Sequence, residues 1–282
     1  IGINLTSVAT LKYRNQKNIR LLNVGRVLMP TLKIIYDRDK EIADFKVTKY
    51  YKLKGIFQTE DKKKFDSIYY IKAGEKFDNP EELKEIQEKI KDKNGEVVFK
   101  KITNKKEYPP YLFNLSGLQG YITSKYKGWT SDRVLKTAQQ LYEKKFITYP
   151  RTASVVLDES LKEKTAKVLN IHKKSCPYEE MIQFKSTKRI FDSKKVESHS
   201  AIIPTYMQPG SLNESERIVY EAVKNRFLAQ FMPIAVAEDT VLHIKMQNTD
   251  IPGEFVAKGK VQLEAGWKLI EGIDAKETIL PA

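Results

Sequence analysis

Residues 146–152 read FITYPRT, a sequence that places a tyrosine hydroxyl beside a fixed positive charge. Pro150 disfavours the helical conformation for the residue before it, so Tyr149 is predicted to leave a short strand or turn in extended backbone. Tyrosine is a weak nucleophile at its free pKa, and Arg151 is suited to stabilise the charge that develops during attack on a phosphate. A tyrosine among 15 is more often packed or exposed than catalytic, so the rest of the chain must decide between these interpretations.

The composition indicates a globular protein without a membrane-spanning segment. The chain has 282 residues, of which 41% are apolar, enough for one large domain or two ordinary ones. No apolar run approaches the length that crosses a bilayer, and residues 1–6 lack the pattern of a signal peptide. We therefore expect a soluble, cytoplasmic protein with no membrane partner. Cys176 is the one cysteine, which excludes an intramolecular disulfide and a multi-cysteine zinc site.

The charge of the chain favours a polyanionic partner. Lysine and arginine number 50 against 36 acidic residues, and the net charge of +14 is spread along the whole sequence. Such an excess attracts phosphates and makes binding strongly dependent on salt. The 15 tyrosines and 12 phenylalanines could also stack on unpaired bases. A basic surface that only keeps the protein in solution explains the same charge.

Residues 1–45 are predicted to be helical, with a basic linker at 12–20. The apolar positions between 24 and 35 fall on one helical face, and Pro30 either begins or kinks that helix. The pair Gly25-Arg26 lies at its entrance, where backbone donors and a guanidinium suit a phosphate.

Residues 37–41 read DRDKE, whose acidic residues could suggest a magnesium site. On a helix, residues two apart do not share a face, so these carboxylates would diverge. The interleaved basic residues also indicate a solvated, charged surface, which is the interpretation we favour.

Residues 46–77 alternate in a strand-like manner between polar turns. A helix is then predicted to begin at Pro80, capped by Asn79, and to stop at Asn94-Gly95. Residues 97–102 return to a strand pattern.

Tyr108-Pro109-Pro110 marks the clearest boundary, after which helical patterns replace alternation. The predicted helices cover residues 112–124, the stretch capped at Trp129-Thr130-Ser131, residues 157–169, and the stretch 213–231, which opens with a capping box of Asn213 and Glu216. The predicted core positions after Thr130 are Val134, Leu135, Ala138, Leu141 and Tyr142. Residues 172–198 are predicted to be a loop, and strands return at 240–246 and 254–263. This order indicates strands interrupted by a compact helical domain.

Three separated segments resemble, in order, motifs of the type IA DNA topoisomerases, most closely those of bacterial topoisomerase III. They are residues 22–32 (LNVGRVLMPTL), 146–154 (FITYPRTAS) and 198–205 (SHSAIIPT). Residues 112–119 and 212–233 are similar to the same family. The resemblance implies an α+β multidomain fold, in which an antiparallel β-arch is interrupted by a helical, winged-helix-like domain carrying Tyr149, with an N-terminal helical piece besides.

The resemblance also implies a division into five parts. These are a helical piece of the gate domain (1–45), the first half of the β-arch domain (46–110), the helical domain (111–233), the second half of the β-arch domain (234–270) and the start of the return to the gate domain (271–282).

What the family does implies roles for particular residues. Tyr149 would attack one DNA strand and form a transient 5′-phosphotyrosine bond, so that another strand can pass and DNA is relaxed or decatenated without ATP. Arg151 would stabilise the phosphate, and His199 would lie near it. The residues implied to bind single-stranded DNA are Gly25, Arg26, Gln119, Thr152 and Thr205.

The sequence departs from the family pattern at several positions. Leu28 and Met29 stand where the family has Gln-Thr, Ala153 replaces an aspartate after the tyrosine motif, and Ser198 replaces an aspartate before the histidine. These changes suggest a divergent member with an altered rate or metal dependence.

The resemblance places a metal-binding (Toprim) domain, with an acidic triad, before the region that this chain covers. We therefore interpret the chain as an internal, monomeric fragment whose partners are single-stranded DNA and the missing domain of the same polypeptide. Mg²⁺ would serve the complete enzyme, no metal site is predicted here, and the fragment alone is expected to be inactive. The alternative is a non-catalytic module that binds single-stranded nucleic acid. A tyrosine recombinase or relaxase is disfavoured because the three histidines, at 172, 199 and 243, are scattered.

Overall fold

The structure is a computed structural model that describes residues 2–14 and 21–281. The chain forms two compact units, one of Ile1–Tyr51 with Lys76–Glu82 and one of Lys52–Glu75 with Leu83–Ala282. Each unit is described by itself. The division into five parts is finer than this separation and stays a prediction.

The first unit contains helices α1 (Gly2–Tyr13) and α2 (Leu28–Ala43). The Thr6 hydroxyl accepts a hydrogen bond from the Val24 backbone at 2.9 Å, which holds the segment before α2 against α1. Pro30 lies in the first turn of α2, where its missing N–H breaks no helical hydrogen bond, so it belongs to the start of the helix and does not kink it. Part of the predicted basic linker lies outside the described residues.

The apolar face predicted between residues 24 and 35 is not a buried face. Helix α2 begins only at Leu28, and neither helix of the first unit has a buried residue. Periodicity identifies a face that can be buried, but burial needs a packing partner, which these described helices do not supply.

Residues 37–41 form the solvated surface that was predicted. Asp37 pairs with Lys33 at 2.8 Å and Glu41 with Arg38 at 2.6 Å, all on the exposed side of α2. Within residues 2–14 and 21–281, no group of three or more His, Cys, Asp or Glu side chains could hold a metal ion. Over the same residues, none of the helices combines the length and the apolar character that a bilayer span requires.

The second unit is built around one antiparallel sheet, ordered β1-β2-β5-β4-β3. Its strands are β1 (Lys54–Gln58), β2 (Lys64–Tyr70), β3 (Gly95–Glu107), β4 (Ala235–Met246) and β5 (Glu254–Glu264). Strands β3 and β4 pair along their length and meet at Glu107 and Ala235, so the whole helical region is inserted between two neighbouring strands. The predicted α+β fold with an interrupted antiparallel sheet is confirmed.

Two boundaries near the sheet differ from the prediction. Residues 46–53 contain no strand beyond a bridge at Tyr51, and β3 continues five residues past Ile102. The lysine-rich end of β3 carries no apolar alternation of its own, and its strand conformation comes from pairing with β4.

Helix α3 (Pro80–Ile90) begins as predicted, with the Asn79 side chain accepting a hydrogen bond from the Glu81 backbone at 3.0 Å. It ends four residues before Asn94. Asp92, at a φ of 56°, makes the left-handed turn that had been expected at Asn94-Gly95.

The inserted helices are α4 (Leu115–Lys125), α5 (Ser131–Glu143), α6 (Lys162–His172) and α7 (Glu214–Ala229), and a short α8 (Lys268–Glu271) follows β5. Thr130 caps α5 and the capping box of Asn213 and Glu216 begins α7, both as predicted. Two buried clusters hold these helices together. One contains Phe227 and Phe231, and the other contains Leu118 and Leu141.

Residues 172–198, predicted to be a loop, contribute directly to the core. The backbone is irregular, with three short 3₁₀ turns. Nevertheless Ile182, Ile190 and Phe191 are at most 3% exposed and pack in the cluster of Phe227. Isolated apolar anchors in irregular backbone leave no period in the sequence, which is why the pattern did not reveal them.

Candidate active site

The segment that ends at Tyr149 is held by a second segment of the chain. The Thr148 backbone donates to the Ile203 carbonyl at 2.9 Å, the Thr205 backbone donates to the Phe146 carbonyl at 3.0 Å, and Ile147 bridges to Pro204 in antiparallel fashion. The tyrosine therefore follows a short two-stranded bridge, in agreement with the prediction from Pro150.

The Thr148 side chain strengthens this bridge. Its hydroxyl donates to the Ala201 carbonyl at 3.2 Å and accepts from the Ile203 backbone at 3.0 Å. Both hydrogen-bonding functions of the hydroxyl are used, so the residue directly before Tyr149 is fixed by its backbone and its side chain.

Thr152 joins the tyrosine motif to the histidine motif on the other side. Its hydroxyl, in a residue only 7% exposed, donates to the His199 carbonyl at 2.8 Å and accepts from the Ser154 backbone at 3.1 Å. The hydroxyl predicted to contact DNA is thus engaged within the protein, and a DNA contact from Thr152 stays a prediction.

The ring of Tyr149 lies between two other rings. The His199 ring centroid is 4.7 Å away and the Tyr142 centroid is 5.3 Å away, the latter in an edge-to-face arrangement of 71°. Tyr149 is half-buried, and its hydroxyl has no hydrogen-bond partner among the residues that the structure describes. His199 thus lies beside Tyr149, and its predicted position near a phosphate stays a prediction.

Arg151 is exposed and makes no hydrogen bond or ion pair with any described side chain or backbone group. A guanidinium offers five N–H donors in a planar fork that matches a phosphate. All five donors remain available, and Arg151 follows Tyr149 by two positions in the sequence.

The N-terminus of α4 is tied to the loop that follows Arg151. The Asn114 side chain donates to the Ala153 carbonyl at 2.9 Å and accepts from the Gly117 backbone at 2.8 Å, and the Leu115 backbone donates to the Thr152 carbonyl at 3.2 Å. Asn114 was not among the predicted site residues. Its spacing before Gly117 is a helix-capping signal that could have identified it.

Gln119, also predicted to bind DNA, lies on α4. Its amide donates to the Ser131 carbonyl at 2.9 Å and so links α4 to the first residue of α5. A role in binding DNA stays a prediction for this residue.

Thr205 is held at three points. Its hydroxyl donates to the Lys145 carbonyl and accepts from the Met207 backbone at 3.1 Å, and its own carbonyl lies 2.7 Å from Nε2 of His172. The predicted DNA contact of Thr205 is therefore untested, and its hydroxyl is engaged within the protein. His172 was missed, although its seven-residue spacing from the buried Thr165 places it on the inner face of α6.

His172 is only 1% exposed, and this burial lowers the pKa of its imidazole. A neutral ring that carries its proton on Nε2 donates to the Thr205 carbonyl. Burial thus favours the protonation state that can hold the end of the histidine motif without a buried charge.

Gly25 and Arg26 belong to the first unit. The Arg26 guanidinium is exposed and has no partner among the described residues, and the Gly25 carbonyl accepts from the Met29 backbone at 3.1 Å. A Cβ at Gly25 would meet nothing nearer than the Leu28 Cβ at 3.9 Å, so local packing does not require a glycine there. Both DNA-binding assignments stay predictions.

A family model described as "DNA topoisomerase" matches residues 1–282. The chain belongs to the DNA topoisomerase family. The resemblance that was inferred from residues 22–32, 146–154 and 198–205 is thereby confirmed.

Individual members of the DNA topoisomerase family agree with this assignment. DNA topoisomerase 3 of Staphylococcus epidermidis is 32% identical over 99% of this chain and 38% of its own length. DNA topoisomerase 3 of Salmonella typhimurium is 31% identical over 96% of this chain and 43% of its own length. The solved structure of full-length topoisomerase I from Thermotoga maritima superposes with a TM-score of 0.73 at 28% identity, over 100% of this chain and 45% of that protein. The chain thus spans less than half the length of these topoisomerases.

Proposed function

We propose that this chain supplies the nucleophile of a type IA DNA topoisomerase. The Tyr149 oxygen attacks a phosphodiester of single-stranded DNA and forms a bond to phosphorus, while the bond between phosphorus and the 3′ oxygen breaks. The tyrosine hydroxyl loses its proton to solvent, and the departing 3′ oxygen takes one up. The products are a 5′-phosphotyrosine and a free 3′ hydroxyl. The reverse attack by that hydroxyl reseals the strand. Each step exchanges one phosphoester bond for another, so the reaction needs no ATP.

The observation that carries this proposal is the environment of Tyr149. Its unpaired hydroxyl extends from a backbone that is hydrogen-bonded on the preceding residue, while the His199 and Tyr142 rings contact its own ring. A nucleophile held in one orientation avoids the entropy cost of finding it during the reaction.

Arg151 and His199 are proposed to stabilise the reacting phosphate. The Arg151 fork would bind two phosphate oxygens, and charge on these oxygens increases during attack. The exposed His199 ring is close enough to Tyr149 to donate a hydrogen bond to a phosphate held there. Both groups would donate hydrogen bonds where charge develops, which is the form of stabilisation that contributes most at such sites.

The described residues do not fit a magnesium site, because they contain no cluster of acidic side chains that could hold the ion. No step of the proposed reaction is therefore assigned to a metal by residues of this chain. Mg²⁺ in the complete enzyme, bound by a separate domain of the same polypeptide, stays an expectation from the resemblance.

The physiological proposal is relaxation or decatenation of DNA by passing one strand through the break. The excess of 50 basic over 36 acidic residues supports binding to a polyanion. A cytoplasmic, monomeric enzyme is the form in which we propose that it acts.

The decisive experiment replaces Tyr149 in the complete polypeptide and measures a denaturant-resistant adduct with a single-stranded oligonucleotide. Tyr149→Phe removes one oxygen and is expected to abolish the adduct. An oligonucleotide labelled at its 3′ end should label the protein, and one labelled at its 5′ end should release a labelled fragment.

Tyr36→Phe is the matched control, because it removes a tyrosine hydroxyl that is exposed on α2 and has no described partner. This variant should form adduct at the wild-type rate. An adduct that survives in Tyr149→Phe, or that carries the 5′ label, would show that the proposed nucleophile or linkage is wrong.

The second candidate is a non-catalytic module that binds single-stranded nucleic acid, which the charge favours equally. Both candidates predict salt-dependent binding, and Arg26→Ala or Arg151→Ala should each lower the slope of log affinity against log salt by about 1. A complete polypeptide that binds in this way but forms no adduct would support the binding module. Binding that ignored salt and strandedness would contradict both.

A further inference from the structure

Tyr142 lies where the sequence predicts a core residue, but the core does not contain it. Of the other apolar side chains of its stripe, Val134, Ala138 and Leu141 are 0% exposed and Leu135 is half-buried, whereas Tyr142 is 39% exposed. Its ring instead contacts the Tyr149 ring edge to face, the arrangement that aromatic quadrupoles prefer. The stripe thus packs α5 without needing the Tyr142 side chain.

The backbone between the two tyrosines is a single tight turn. The Tyr142 carbonyl accepts from the Lys145 backbone at 2.8 Å, and the Leu141 carbonyl accepts from the Phe146 backbone at 2.9 Å. Lys145 adopts a φ of 62°, which lets the chain reverse directly after the helix. The backbone of Tyr142 is therefore fixed relative to the strand that leads to Tyr149.

The side chain of Tyr149 depends on ring contacts for its orientation. The backbone of residues 146–148 before it is fixed by the bridge to residues 201–205, but the Tyr149 hydroxyl has no described partner. The described ring contacts are His199 on one side and Tyr142 on the other. Removing either ring would allow Tyr149 to adopt rotamers that the present packing excludes.

We propose that Tyr142 is a positioning residue that holds Tyr149 in the orientation required for attack on phosphorus. It acts through the Tyr149 ring and touches no reacting atom, and the inference rests on the proposed role of Tyr149. The Tyr142 hydroxyl has no partner among the described residues, so the ring alone carries this function, and phenylalanine should replace it.

The test compares Tyr142→Ala with Tyr142→Phe in the complete polypeptide, at saturating single-stranded oligonucleotide and in a single turnover. Tyr142→Ala should slow adduct formation by about 10-fold, the scale that one aromatic pair supplies. Tyr142→Phe should remain within about twofold of wild type. Because Tyr142 acts after binding, the oligonucleotide Kd should change by less than about twofold in both variants.

Tyr36→Ala is the matched control, since it removes an exposed tyrosine ring from the other compact unit and should leave the cleavage rate unchanged. A urea midpoint equal to that of wild type shows that Tyr142→Ala is folded, as expected for an exposed side chain.

Three results would overturn the inference. An unchanged rate in Tyr142→Ala would show that the ring does not position Tyr149. A loss confined to Kd would show that Tyr142 stacks on a DNA base instead. A Tyr142→Phe rate as low as that of Tyr142→Ala would assign the effect to the hydroxyl. If Tyr149→Phe still forms adduct, the proposed function itself fails, which is a separate and recognisable outcome.

Discussion

Two histidines lie near the tyrosine motif: His172 is inside the core, and His199 is at the surface. His172 is 1% exposed and its Nε2 lies 2.7 Å from the Thr205 carbonyl. His199 is exposed, and its ring lies 4.7 Å from the Tyr149 ring, while its backbone carbonyl accepts the Thr152 hydroxyl. The buried histidine holds one end of residues 199–205, and the other presents an exposed ring beside Tyr149.

Burial, and not residue type, separates the internal hydrogen-bonding role of His172 from the exposed position of the His199 ring. A buried imidazole must use its polar atoms on neighbouring groups, because an unsatisfied one costs about 1–3 kcal/mol. An exposed imidazole is hydrated and can exchange water for a ligand. Variants of the two histidines and of Thr152 test this difference between a buried and an exposed imidazole.

His199→Ala in the complete polypeptide should lower the rate of adduct formation by at least about 10²-fold, because a preformed hydrogen-bond donor to the phosphate is removed. The urea midpoint should stay at the wild-type value. The rate is measured in a single turnover, and His199→Gln, which keeps a donor, should lose less. A large loss of stability in His199→Ala would place this histidine with His172 and remove the contrast.

His172→Ala should lower the free energy of unfolding by about 2–4 kcal/mol, since it creates a cavity and leaves the Thr205 carbonyl without its donor. His199→Ala, measured alongside by urea denaturation, should stay within about 0.5 kcal/mol of wild type. Equal effects in the two variants would show that burial does not distinguish these histidines.

The stability of the protein should depend on pH through His172. Its folded-state pKa is lowered by burial, with nearby Lys224 acting in the same direction, while the bond to Thr205 and the charge of Glu221 oppose the shift. The unfolded chain then binds more protons, so the contribution is complete above about pH 6.5 and is lost as the pH falls from there through the folded pKa.

Urea midpoints between pH 8 and pH 5 measure this dependence. Relative to wild type, His172→Gln should flatten the decline below pH 6.5, and the matched variant His199→Gln should leave it intact. A decline that His172→Gln does not alter would assign the pH dependence to other groups.

Thr152→Val should have the smallest effect, a loss of about 1–2 kcal/mol in the free energy of unfolding, because the hydroxyl no longer donates to the His199 carbonyl or accepts from the Ser154 backbone. Denaturation curves give the value, and oligonucleotide titration serves as the second readout. A fall in DNA affinity without a fall in stability would favour the DNA contact predicted for Thr152 over its observed internal bond.

Local features of the fold followed from the sequence. The capping box of Asn213 and Glu216, the start of α3 at Pro80 and the end of the bridge before Pro150 each depend on residues within four positions of one another. Hydrogen bonds and steric restrictions at that range are encoded in adjacent side chains, so a single sequence is enough to predict them. The alternation that predicted β4 and β5 has the same local origin.

The detailed surroundings of the candidate site could not be obtained in this way. Thr152 and His199 are 47 positions apart, and His172 and Thr205 are 33 apart. Tyr142 fits the helical period of the core and yet lies outside it, while Phe191 has no period and yet lies inside. Periodicity reports which side chains can share a face, but which faces are covered depends on segments that arrive from elsewhere in the chain.

The residue types and their spacing were enough to predict that Tyr149 leaves a short strand or turn in extended backbone, close to the positive charge of Arg151. They were also enough to assign this basic α+β chain to the DNA topoisomerase family. Only the three-dimensional fold shows that His199 faces Tyr149, that His172 is buried behind Thr205, and that Tyr142 contacts Tyr149. The two kinds of feature differ in the sequence separation of the residues that produce them. Caps and turns depend on neighbouring residues, whereas burial and ring contacts depend on packing between residues that are distant in the sequence.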